Sequence, residues 1–552
     1  MRIKNIAIAL ALFLSATAFA QHNEEVTIEG TYRPKVNKVA KILIQPEKPL
    51  QSFEMPDTEV KVLDIEHSFP LEFEKLSPLS YNGQKGQTPK PAKNFLMAGF
   101  GSRISPLFLY KHNSKLTKNL GLGVGIKHYS SWLDMKDYAP SSFMNNAFDI
   151  GLTSNKYKNV QLGGSVYYKN DMCHYNGFES QQVYNTIGAR FDLASTPTRN
   201  GEFVNDLDLD YHYLFGKLGG GREHDADLNY DLAYVDSWWG KKNHPQTMGM
   251  ALGVQYANTG FSDQPNVDRM VFKVNPYFEM KDDFYRLHLG VRLDGGTKFE
   301  STEGLLTVHP DLKGSLFVLN NILEFYAGMN GGRKLYTYSD LINENPFVGS
   351  ALDLEVTTEK LGFEGGIRTN ILKTVDLHVG VRYRHTLNDP FYVVRGRMVD
   401  GVPVDNLFNV FYDETYLTTV MADVRWLAFD KVTVDAGATY NKYQMTLLDH
   451  ALFRPELEAR LKLNYTPIPS LLLYSSFLYQ DGRYARLQAS VLTEPSVKLK
   501  AVYDLGLGAD YKVSEDVTVF AKVNNLLHQK YQLYYNYPVN GIEFFAGLKM
   551  TF

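Results

Sequence analysis

The chain has one cysteine, Cys173, and only four tryptophans in 552 residues. A lone thiol excludes an internal disulfide framework and any metal site built on paired cysteines. Beyond the N-terminal twenty residues no apolar run reaches the eighteen or so that a membrane-crossing helix needs. Charge of one sign is also scarce. With 57 Lys and Arg against 61 Asp and Glu, the formal charge is −4, and no nucleic-acid partner is expected.

What is present begins with an export signal. Arg2 and Lys4 precede an apolar stretch from Ile6 to Leu14, and Ala18-Phe19-Ala20 precedes Gln21. Residues 1–20 therefore read as a secretory signal peptide that is removed. No cysteine follows the cleavage site, so no lipid anchor is expected there. The rest is rich in aromatics, with 36 Tyr and 33 Phe. An exported chain of this kind is either a large soluble β protein or a barrel in the outer membrane, and periodicity has to decide.

Alternation is strict and long. From Tyr285 to Leu293, one face carries Tyr285, Leu287, Leu289, Val291 and Leu293, and the other Arg286, His288, Gly290 and Arg292. Glu456 to Tyr465 and Val497 to Tyr511 repeat the pattern. Such lengths suit tilted strands that cross a bilayer in about 9–11 residues. Short turns such as Asp282-Asp283, Pro469-Ser470 and Glu515-Asp516 alternate with longer connections at Ser130 to Asn146, Ser262 to Asp268, Ile342 to Leu354 and Arg397 to Asn406. Short periplasmic turns alternating with long outer loops are the pattern of outer-membrane barrels. The expected fold is all-β: a transmembrane antiparallel barrel of about 22 strands over residues 94–552, after an extended, Pro-rich periplasmic or lumenal segment over 21–93. Outer-membrane lipid and the barrel assembly machinery are its expected partners. In the closing strand, Ile542, Phe544, Leu548 and Phe552 share the apolar face.

The C-terminal run Val519 to Tyr531, followed by Tyr537-Pro538, Gly541 and the final Phe552, resembles the ending of TonB-dependent receptor barrels. Near the mature N-terminus, Glu25-Val26-Thr27-Ile28-Glu29 is similar to a TonB box, the periplasmic segment by which such receptors engage TonB. The resemblance implies a plug domain of well over a hundred residues between the two. Only residues 21–93 are available, and Pro34, Pro46, Pro49, Pro56, Pro70, Pro78, Pro89 and Pro91 interrupt them. Proline removes backbone donors and favours extended chain, so a complete plug is not expected.

A lumen of this size calls for a filling. Asp206, Asp208 and Asp210 share one face of a strand, and Asp225, Asp227 and Asp231 the matching face of the next. Together they form an expected acidic wall in the lumen. Arg33, Lys35, Lys38 and Lys41 form a basic strip just after the box-like segment, and one reading threads this strip along the wall. The other leaves the strip in the periplasm as a disordered tail, with the wall solvated or paired with Arg286, Arg292, Arg382 and Arg384.

No catalytic, cofactor or metal site is expected. Gly219-Gly220-Gly221-Arg222-Glu223-His224-Asp225 reads as a flexible outer loop, His212, His288 and His378 fall on polar lumen faces without a nucleophile motif, and Trp238-Trp239 reads as an interfacial anchor. The expected function is transport across the outer membrane by a TonB-receptor-like barrel, with TonB as a partner. The alternative is a non-transporting accessory or structural subunit of an outer-membrane assembly, secretion or surface-lipoprotein complex, with periplasmic or surface lipoproteins as partners.

Overall fold

The computed structural model describes residues 93–552 apart from short stretches in connections, the longest being 298–305 and 487–494. Glu25 to Glu29 and the strip Arg33, Lys35, Lys38 and Lys41 lie outside the described residues.

Twenty-two strands form one antiparallel sheet. Its first strand, Asn94–Gly101, pairs with the second, Ser105–Thr117, and also with the last, Glu543–Thr551, so the sheet closes into a barrel. Closure gives every ladder N–H and C=O a partner and leaves no edge, which is what lets strands cross hydrocarbon. At the seam, the Asn94 and Phe552 backbones exchange hydrogen bonds of 2.8 and 3.1 Å. Phe544 and Leu548 point outward at 56% and 37% exposure.

The alternation sorts residues as a membrane barrel requires. Val166, Ile187, Leu289, Val381, Val420 and Leu463 are all exposed on the outer wall. A soluble sandwich would bury such a belt against a second sheet; around a closed single-layer barrel it faces lipid. Trp238 and Trp239 cluster with Phe278 next to a connection at the short-turn end, as residues of an interfacial girdle do.

Several elements depart from the expected pattern, and all lie at the long-loop end. The Ser262 to Asp268 connection is a tight hairpin between strands Gln246–Phe261 and Gln264–Lys281. Its polar side chains bond one another across the ladder: Tyr256 Oη and Asn258 Nδ2 both donate to Asp268, at 2.5 and 2.8 Å. Arg397 to Asn406 likewise continues the strands Val375–Val399 and Val402–Phe429, which are 25 and 28 residues long. At about 3.3 Å per residue this hairpin is roughly 80 Å long, against a hydrocarbon core of about 30 Å. Glu223, His224 and Asp225 belong to strand Arg222–Asp236 and not to a loop. The alternation from Val497 to Tyr511 is broken: Val497–Lys498 pairs with Tyr484–Ala485 in a separate small sheet, and the barrel strand begins at Val502. Tyr129, near the end of strand Leu120–Ser131, is buried with Leu107, Phe520 and Phe545 and does not face lipid.

Candidate functional site

The connection between strands Leu323–Leu335 and Val356–Ile371 folds into a seven-residue helix, Tyr338–Glu344. Its start is written locally. Thr337 Oγ1 accepts from Asp340 N at 3.0 Å, and Asp340 Oδ2 accepts from Thr337 N at 3.2 Å. This reciprocal capping box satisfies two of the donors that a helix start leaves open.

Two turns of helix are not stable alone in water, and tertiary contacts hold both ends of this one. At the N-terminus, the fully buried Glu223 carboxylate accepts from the Tyr338 and Ser339 amides, each at 2.8 Å, and from Thr259 Oγ1 at 2.6 Å. An anion there also meets the positive end of the helix dipole. Arg269, likewise fully buried, lies 3.5 Å from Glu223 and donates to Tyr336 O at 2.8 Å. At the C-terminus, Tyr534 Oη donates to Glu344 O at 2.7 Å, and Tyr392 Oη donates to Leu341 O at 3.2 Å and to Glu344 Oε2 at 3.1 Å.

Around this helix a single hydrophobic core joins loops to the upper ends of strands on several sides of the barrel. Tyr184, Leu214, Phe261, Tyr392, Phe408 and Tyr534 all belong to it. Phe347 stacks on Tyr537 with ring centroids 3.6 Å apart, and Val348 bridges to Phe408. The outer loops therefore form a lid over the long-loop mouth. The Gly219-Gly220-Gly221 run is a tight turn in this lid. Gly219 and Gly220 take φ of +72° and +59°, and a Cβ on Gly219 would lie 2.2 Å from Ser350 Oγ.

Further pairs brace the lid. Asp413 accepts from Leu448 N at 2.7 Å. Arg454 donates to Asp389 at 2.8 Å and lies over the Phe391 ring. Burial opposes the Arg454 charge, but Asp389 outweighs it and holds the group above its ordinary range. Burial pushes the Tyr338 phenol up, so it stays neutral in the core.

Beneath the lid lies a lumen cavity of 2220 Å³, reaching from Tyr336, Asp340 and Glu344 on the lid's underside to Asp282, Asp283 and Ile322 at the short-turn end. Its wall is charged, with opposite signs interleaved, as in Arg425 with Asp435 at 3.3 Å and Lys549 with Asp510 at 2.6 Å.

The six aspartates sit on neighbouring strands in register, Asp206 opposite Asp231 and Asp210 opposite Asp227. Carboxylates facing each other across a ladder are destabilising unless met by donors. The donors come from both flanks. Tyr167 lies over Gly188 on the adjacent strand and donates to Asp210 at 2.9 Å. From the other side, Tyr277 lies over Gly249 and donates to Asp231 at 2.8 Å. Arg190 Nε donates to Asp210 at 2.5 Å, and Asn229 donates to Asp227 at 2.8 Å. Arg292 and Arg382, expected as counter-charges, instead pair with Asp294 and Glu364, while Arg286 lies over the Phe317 ring. The glycines are the signal that sequence reading missed: a Cβ on Gly188 would meet Tyr167 Cζ at 2.3 Å. Gly188→Ala should therefore displace the ring and break the Tyr167–Asp210 bond. The expected cost is about 1–3 kcal/mol, read as a lower urea midpoint for barrel unfolding.

No protein-family profile matches the sequence, and no curated protein is significantly similar to it. Solved structures do match. The chain is similar to the copper transporter OprC, with a TM-score of 0.61 at 14% identity over 85% of this chain and 84% of that one. It is also similar to the ferric-catecholate import receptor Fiu of E. coli K12, with a TM-score of 0.62 at 10% identity over 85% and 83%. The siderophore receptor PiuA of Acinetobacter baumannii matches with a TM-score of 0.58 at 12% identity over 84% and 82%. The fold is that of the 22-stranded outer-membrane barrels of TonB-dependent receptors.

Proposed function

We propose that the protein is a TonB-receptor-like transport barrel of the outer membrane whose passage is shut on the outer side by its own folded loops. The observation that carries this reading is the lid placed over a charged, 2220 Å³ lumen cavity. A polar lumen with one closed end suits a gated path for a polar solute better than a filled structural barrel does. The transport names of the similar structures support the same class. Deletion of the gene should abolish growth on, or uptake of, at least one nutrient supplied at limiting concentration; unimpaired uptake across a broad nutrient panel would count against transport.

The alternative role, an accessory or structural subunit of an assembly, secretion or surface-lipoprotein complex, is favoured by one feature. The Glu223–Arg269 pair is fully buried, as in the permanent core of a folded domain. Purification in mild detergent separates the two roles, because stoichiometric co-isolated partners without an uptake defect assign the accessory one.

In the transport reading, Glu25 to Glu29 are the segment a TonB-type partner takes up by strand addition, and the strip Arg33, Lys35, Lys38 and Lys41 threads the lumen along the wall of Asp206, Asp208, Asp210, Asp225, Asp227 and Asp231. Reversing Lys35, Lys38 and Lys41 to Glu should then raise entry of detergents and large antibiotics. Unchanged permeability would sink the threading idea.

A further inference from the structure

Below the contacts that hold the helix, on strands Glu202–Gly216 and Arg222–Asp236, His212 stands directly opposite Asp225, and Leu214 opposite Glu223. One donor atom from each of His212, Glu223 and Asp225 lies within 4.8 Å of the other two. His212 Nε2 faces Asp225 Oδ2 at 3.8 Å, and Nδ1 faces Asp210 Oδ1 at 3.8 Å; neither separation is a hydrogen bond. Asp225 is only 7% exposed, yet among the described residues its Oδ1 has no hydrogen-bond partner, and neither has His212 Nε2. A buried polar atom left in that state is destabilising. Both atoms belong to the His212–Glu223–Asp225 cluster, and a cation bound there would give them a partner.

Charge points the same way. Asp210, Glu223, Asp225, Asp227 and Asp340 surround the gap, and the full cations that meet them are Arg190, Arg269 and Lys273. Among the described residues carboxylates outnumber cations here, which favours a bound cation.

We propose that His212, Asp225 and Glu223 form a three-ligand site for a divalent transition-metal ion. Metal–ligand bonds of about 2.0–2.2 Å place two donors roughly 3.5 Å apart, a few tenths of an ångström inside the 3.8 Å between His212 and Asp225. An imidazole among the donors selects the zinc, cobalt, nickel and copper class over calcium and magnesium, which take oxygen alone. Three protein donors leave a coordination position for an exogenous ligand. Glu223 is the structural link: its Oε1 accepts from Ser339 N at 2.8 Å and keeps a second lone pair for the ion. The metal therefore ties two barrel strands to the first turn of the lid helix.

The test uses the full-length chain in mild detergent, stripped by a chelator and titrated with Zn²⁺ and with Co²⁺. Calorimetry should give one ion per chain, and Co²⁺ should develop visible ligand-field absorption. His212→Ala and Asp225→Asn should each weaken binding by at least the roughly 10–100-fold that loss of an outer-shell partner costs. His244→Ala, at the separate cluster with Asp282 and Asp283, should leave the affinity unchanged. Zn²⁺ should also slow hydrogen exchange at the Tyr338 and Ser339 amides, which a weakly held surface ion would not do. If His212→Ala loses the β circular dichroism signal, His212→Gln, which keeps a polar side chain of similar reach, takes its place. The proposal is overturned if the wild type binds no ion, if it prefers Ca²⁺, or if both ligand variants bind like the wild type.

Discussion

Replacement of residues 337–354 by a four-residue Gly-Ser turn should convert a closed barrel into an open pore. The graft is feasible because Leu335 and Val356 are direct ladder partners, so a hairpin turn joins them without distorting either strand. What leaves is the helix together with Phe347, Val348 and Leu352 at the centre of the lid core. The tyrosines and phenylalanines that close on them from the surrounding strands then lose their common partner. In planar bilayers the wild type should carry no steady current, whereas the shortened chain should show discrete, long-lived open steps. In cells, uptake of a large antibiotic should rise by roughly tenfold or more, as expected for an unobstructed lumen of this strand number. A shortened barrel that still passes no current would mean that the lumen is blocked below the lid and that the lid is not the gate.

The second large effect is expected from one atom pair. Glu223→Gln keeps the size of the side chain but removes the negative charge that Arg269 and the helix N-terminus share. Breaking a fully buried ion pair by neutralising one partner costs about 3–5 kcal/mol, because the other charge stays buried. At 1.4 kcal/mol per factor of ten, the lid's opening equilibrium should shift by roughly 100- to 4000-fold. Hydrogen exchange resolves this regionally. Amides of Tyr338–Glu344 should lose protection by that factor, while those of the seam between Asn94–Gly101 and Glu543–Thr551 should keep theirs. Equal loss at both places would make Glu223 a general stability residue of the barrel and not a latch of the lid.

The barrel was legible in the sequence because its physics is periodic. Tyr285 to Leu293 alternates because one face meets lipid and the other the lumen, and tight turns such as Asp282-Asp283 mark one end regularly. The strand count and the outward face of the closing strand follow from that rhythm. The lid has no period to read. Its helix is seven residues long, and the apolar residues that follow, Phe347, Val348, Leu352 and Leu354, are spaced for a core assembled from distant loops. Two local signs were nevertheless available. Thr337 and Asp340 have capping-box spacing, and an outer loop carrying that many large apolar residues needs a cover. The Glu223–Arg269 latch was harder to find. Arg269 lies 46 residues from its partner, and Glu223 follows a glycine run that reads locally as flexible. The tyrosines laid across Gly188 and Gly249 were hidden for a similar reason, since a glycine in a strand shows its purpose only once the neighbouring register is known.

The long hairpin of Val375–Val399 and Val402–Phe429 has a mechanical consequence. Its lower half is part of the barrel wall, and its upper half carries Tyr392 and Phe408 into the lid, where Tyr392 bonds the end of the helix and Phe408 accepts from Gly349 N at 2.8 Å. The backbone continues past these points to the turn between Val399 and Val402. It thus links the barrel wall to the lid through one continuous ladder. A shift of that ladder against the barrel wall would act on the helix through Tyr392 and on the loop after it through Phe408.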